Sequence, residues 1–279
     1  MKLYDFDGMF DEKLGEYVKN NADKYRESEW ENIIPALYKK FGDTFIKSVG
    51  NTPNGFYAKM SDEELVTALK THLKKQVPVS EYLCNAIEKR NTVQLLLPLL
   101  RGSESEAEYA VNLIGADNAA IPEYMRIIVS KDASRDLKDA CVDLVKEKAD
   151  LATSQAVGYY KKGVEREYML EIMSRSVIRS DEVFEILLNE FRTDPDNVPM
   201  HASYLAAYGD ERAMQYLLDK IDEEGISFVE FRELKFAIEA LGGEYTKVRD
   251  FSSDPYFELI KSRSEATADV FGMFGDEKN

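Results

Sequence analysis

Apolar residues return at steps of three and four along nearly the whole chain, and that regularity restricts the fold more than any other feature. Trp30, Ile33, Ile34, Leu37, Tyr38, Phe41, Phe45 and Ile46 follow one another at steps of three, one, three, one, three, four and one. This is one stripe of a long amphipathic helix. Pro35 interrupts the stripe and predicts a kink or boundary there. No alternating run of β-branched residues bounded by turn signals occurs, so the spacing predicts an all-α protein.

Turn and cap signals divide the chain further. Gly50 to Met60 combines Gly, Asn and Pro and reads as a loop. Ser61 followed by Glu64 is a capping box opening a helix, Val77-Pro78 ends it, and Ser80 caps another that carries Leu83, Cys84 and Ile87. Another helix begins near Thr92, and the second half shows a cadence in which helices of ten to fifteen residues arrive in pairs broken by brief polar turns. These turns fall at Gly102-Ser103, Gly115 to Asn118, Ser130 to Asp132, Ala149-Asp150, Lys162-Gly163, Arg179 to Asp181, Asp194 to Asp196, Gly209-Asp210, Glu224-Gly225 and Gly242-Gly243. Gly209 and Gly242 stand 33 positions apart, and Gly115 lies 94 before Gly209. Those spacings fit a repeat of stacked helix pairs.

The segments GDERAMQYLLDKI (Gly209 to Ile221) and AIEALGG (Ala237 to Gly243) resemble the HEAT-type repeat, in particular its short bacterial form. The likeness is good over residues 205 to 243, moderate from 91 to 150 and weak from 151 to 204. Arg232 lies ten positions before Gly242, further than the pattern's usual arginine, and the linker Asp222 to Ser227 is long. The resemblance implies a right-handed α-solenoid of stacked antiparallel helix pairs that acts as a binding scaffold. On that reading residues 1–80 form an N-terminal helical segment, 81–261 the solenoid and 262–279 a flexible tail, whose Val270, Phe271, Met273 and Phe274 could dock in a groove.

In such a stack the second helix of each pair lines the inner face. Over Val198 to Tyr208, Val198, Ala202, Leu205 and Ala206 are expected to face the stack, which puts His201, Tyr204 and Tyr208 on the opposite stripe. Over Phe228 to Leu241, Phe231, Leu234, Ile238 and Leu241 are the stacking stripe, and Arg232, Lys235 and Glu239 face inward. These six residues are the candidate partner-binding set.

Chemical motifs are sparse. Asp5-Phe6-Asp7-Gly8 resembles the first motif of haloacid-dehalogenase-type phosphatases, but only Leu3 and Tyr4 precede it where a buried strand is needed, and Met9 stands where that motif has Thr. As a calcium loop it fails too, because Gly8 would fall fourth rather than sixth. It reads as a turn capping a first helix near Met9 to Asn20. His72 and His201 have no ligand-spaced partners, which argues against a histidine-based zinc site, and His72 is expected on a solvated lysine-rich face. No nucleophile elbow, phosphate loop or dinucleotide fingerprint occurs, and the sequence calls for no cofactor or metal.

The charge excludes further classes. With 36 basic and 52 acidic residues the chain carries −16, which opposes nucleic-acid binding. The longest apolar run, LLLPLL at Leu95 to Leu100, is far short of the ~20 residues of a membrane span. No basic segment leads into a long apolar one at the start, which argues against a secretory signal. Cys84 and Cys141 read as separate buried reduced thiols, and a cytoplasmic protein is expected. The reading is therefore a non-enzymatic scaffold for a protein or peptide, a basic one included. Its alternatives are an acidic inhibitor or immunity-type protein that blocks a basic partner, and a helical-repeat enzyme acting on nucleic acid or a tetrapyrrole.

Overall fold

The structure, a computed structural model, describes residues 2–90 and 92–261. The expected tail at 262–279 lies outside the described residues. The protein is all-helical, and an isolated bridge between Ile46 and Asn51 is the closest approach to a strand among the described residues. It divides into two compact units at Leu144/Val145.

The first unit contains α1 (Phe6–Asn21), α2 (Glu27–Gly42), α3 (Pro53–Ala58), α4 (Asp62–Lys74), α5 (Glu81–Glu88), α6 (Val93–Leu96), α7 (Glu104–Ile114), α8 (Ile121–Ile128) and most of α9 (Arg135–Lys146). Helix α1 begins three residues earlier than the sequence suggests, because Asp5 acts as its cap and accepts the Gly8 N–H at 2.8 Å. That is the role read for the Asp5–Gly8 stretch.

Helix α2 continues past Pro35, so the proline is not a helix boundary. Half-buried Ile34 before the proline, and half-buried Tyr38 and buried Phe41 after it, lie on one face of the helix and anchor both halves. The predicted loop at Gly50 to Met60 contains a short helix, α3. Thr52 caps it through Oγ1, which accepts the Gly55 N–H at 2.9 Å, and Pro53 occupies its first turn. The Ser61/Glu64 capping box forms as read, and Ser103/Glu106 and Ser227/Glu230 repeat it.

His72 corrects another expectation. It is buried, and Nδ1 sits 2.8 Å from the Pro78 carbonyl, tying the end of α4 to the segment that leaves it. Helices α4 and α5, on either side of residue 80, pack on one another. Phe6 forms the centre of an aromatic core with Tyr4, Phe56, Tyr57 and Tyr82. Trp30 packs edge-on against Tyr17 and Tyr25.

The second unit contains α10 (Ala149–Lys161), α11 (Arg166–Ser174), α12 (Asp181–Thr193), α13 (Val198–Tyr208), α14 (Met214–Ile221) and α15 (Phe228–Ala240). Contacts follow a regular order. Helix α10 pairs with α11, α12 with α13 and α14 with α15, while the second members pack side by side, α11 on α13 and α13 on α15.

The turn after α13 links two of these pairs. Gly209 closes α13 with φ +71 and donates its N–H to the Leu205 carbonyl, a conformation that costs other residues a steric clash. Asp210 then accepts from the Arg212 backbone at 3.0 Å, and the Arg212 guanidinium bonds both Asp210 and Asp181 of the preceding pair while lying over the Phe184 ring. The Gly-Asp-Glu-Arg turn thus ties one helix pair to the one before it.

Candidate functional site

The six sequence-nominated residues all fall on α13 and α15, but the structure separates them. Tyr208 and His201 are buried, which corrects their assignment to an open stripe. The Tyr208 hydroxyl accepts the Ser180 N–H at 2.6 Å and lies 3.1 Å from the Ser180 carbonyl, with Arg179 stacked over its ring. A phenol on a helix can reach the turn between two neighbouring helices, and helical periodicity cannot show that. His201 Nε2 sits 3.1 Å from Asp194 Oδ2, in the turn entering its own helix.

Tyr204, Arg232, Lys235 and Glu239 remain accessible. Tyr204 is half-buried, and its hydroxyl is pushed up to about 12, first by burial and then by Glu171 and Glu167 of α11. Lys235 and Glu239 pair one helical turn apart at 3.8 Å, and Arg232 bonds Glu233 at 2.8 Å. Phe236, which periodicity did not nominate, is 64% exposed between them. Its only sequence signal is that it stands four positions after Arg232, off the Leu234–Ile238 stripe.

Among the described residues Glu190, Asp194 and His201 place their donor atoms within 4.8 Å of one another. The arrangement is that of an ion-pair pin. Arg166 and the Tyr160 hydroxyl both bond the buried Glu190 carboxylate, so a guanidinium already neutralises the buried carboxylate of the three. Asp194 accepts from Asn197 and His201, which hold its carboxyl below the usual range. The thiols are equally inert: burial pushes Cys84 up to about 11 and Cys141 up to about 12, leaving almost no thiolate at neutral pH.

The first unit carries a separate concavity, a groove of about 1020 Å³ between α2, α3 and α5. Tyr38 and Tyr82 stack at its floor with ring centroids 4.6 Å apart and planes 10° from parallel. The Tyr82 hydroxyl donates to the Tyr38 carbonyl at 2.6 Å, and the Tyr38 hydroxyl donates to Asp7 at 2.6 Å. Gly42 makes this floor possible, since a Cβ there would stand 2.6 Å from the Tyr82 ring and 2.8 Å from the Asn54 amide. The groove is assembled from residues up to 80 positions apart (Phe10 to Arg90), and no local pattern marks it.

Comparison of the chain with protein-family models, with curated proteins and with solved structures finds no match.

Proposed function

We propose that the second unit is a short HEAT-like solenoid and that the protein is a non-enzymatic scaffold holding a partner protein or peptide on the face of α11, α13 and α15. The observation that carries this reading is the order of packing. Each helix pairs with the next, and the second members lie against one another, which is how stacked helix pairs bury faces that none buries alone. That layer keeps a large aromatic in solvent: Phe236 stands exposed among Arg232, Lys235 and Glu239. An exposed aromatic ringed by charge is the composition of an interface anchor.

The experiment is affinity capture from native lysate with wild-type protein and with a variant carrying Tyr204→Ala, Arg232→Ala, Lys235→Ala and Phe236→Ala. A partner retained by the wild type and lost by the variant, with thermal unfolding nearly unchanged, supports the reading. Equal capture by both rejects this face.

The net charge of −16 favours a second reading, an acidic inhibitor of a basic partner. Under it the captured protein is basic, and rising salt releases it steeply.

A further inference from the structure

The groove of the first unit differs from the rest of the molecule in charge and in preparation. Its lining contains Lys39, Lys89 and Arg90 against Asp43 and Glu81, a local reversal in a chain with 52 acidic and 36 basic residues. Two of these charges already have work to do. Asp43 accepts from Asn54 at 2.8 Å, and Arg90 bonds Asp62 and the Met60 and Ala58 carbonyls. Lys39 on α2 and Lys89 at the end of α5 have no side-chain partner among the described residues, and both are exposed.

The floor beneath them is fixed before any ligand arrives. Tyr38 and Tyr82 are held by their stack and by two hydrogen bonds, so little ordering entropy is lost when a side chain docks on them. Phe10, Ile34, Pro35, Ala58 and Ala86 extend the apolar surface, and the Asn85 carboxamide stands exposed at the edge. An apolar floor with a polar rim suits a peptide that buries one or two large side chains. Two unpartnered lysines select for carboxylates beside those anchors. They are too few, on so acidic a protein, to hold a phosphate chain.

We propose that this groove binds an acidic peptide segment, with an aromatic or aliphatic side chain on the Tyr38–Tyr82 floor and flanking carboxylates on Lys39 and Lys89. The site lies wholly within the first unit and does not depend on the reading of the second.

The test is fluorescence anisotropy on the full chain with a pool of fluorescein-labelled acidic decapeptides, each carrying Phe and Leu among Asp and Glu. Two control pools replace the acidic residues by Lys or the apolar ones by Ser. Saturable binding of the first pool alone is expected. Lys39→Glu with Lys89→Glu should weaken it ~10-fold or more, and Ala86→Trp, which fills the groove from a half-buried helix position in its lining, should abolish it. Lys75→Glu with Lys131→Glu changes the net charge equally outside the groove and should leave the affinity within ~2-fold, as a distant surface change does. No saturable binding by the acidic pool overturns the proposal. So does equal binding of either control pool, equal weakening by both lysine pairs, or displacement by oligothymidylate at the same concentration as by unlabelled peptide. Circular dichroism of each variant separates loss of binding from loss of fold.

Discussion

Asp7 Oδ1 accepts the Tyr38 hydroxyl at 2.6 Å across 31 positions of sequence, and this bond joins α1 to α2 at the edge of the groove floor. Burial first, and then Asp7, push the Tyr38 phenol well above its ordinary range. Tyr38→Phe removes the donor and leaves the carboxylate to water, so it should destabilise the first unit by about 1–2 kcal/mol. Urea unfolding read by Trp30 fluorescence checks this. A loss below the ~0.5 kcal/mol of an ordinary surface change would mean that the bond contributes nothing net.

Tyr208 provides the clearest contrast between a structural and a binding role. Tyr208→Phe keeps the buried ring but deprives Ser180 of its hydroxyl partner. The expected loss is about 1–3 kcal/mol of stability, with partner capture unchanged under conditions where the variant is folded. Reduced capture by a fully folded variant would restore Tyr208 to the binding face.

Arg166 and Glu190 should behave as a coupled pair. Arg166→Met leaves the buried carboxylate with only the Tyr160 hydroxyl, at a cost of about 2–4 kcal/mol. Adding Glu190→Gln removes the stranded charge, so the double variant should be more stable than Arg166→Met alone. Simple addition of the two single losses would show that the ion pair does not couple.

The acid limb of stability should carry the signature of Glu123. Arg101 first, aided by Arg126, holds its carboxyl at about 2, against an ordinary value of 4.5. A depressed folded-state value contributes stability that is present above pH 4.5 and is lost as pH falls toward 2. Glu123→Gln should therefore lower stability at neutral pH and flatten its decline between those values. Arg101 is mostly exposed, so the effect is about 1 kcal/mol rather than the full electrostatic difference. Chemical unfolding at a series of pH values measures both quantities, and an unchanged acid slope would remove Glu123 from the account.

The helices and their spacing were readable because they rest on local physics. The apolar stripes, the Ser61/Glu64 box and the glycines at 209 and 242 each act within a few residues of themselves. Long reach defeated the reading elsewhere. His72, His201 and Tyr208 looked solvated by periodicity, yet each carries its polar atom to a turn and is buried there. A helix boundary at Pro35 and a loop at Thr52-Pro53 fail for another reason. Proline disfavours a helix interior, whereas Pro53 sits in a first turn that needs no N–H and exposed Pro35 lies in a helix whose Ile34, Tyr38 and Phe41 pack before and after it. The groove was invisible because α2, α3 and α5 meet only in three dimensions.

Trp30 is the single tryptophan of the chain, and it lies on α2 one turn before Ile34 and two before Tyr38. Light absorbed selectively by indole therefore reports on the N-terminal unit alone, while amide circular dichroism sums over both. Melting curves recorded with the two probes will coincide if the units come apart together and will separate if one outlasts the other, with no label or truncation needed.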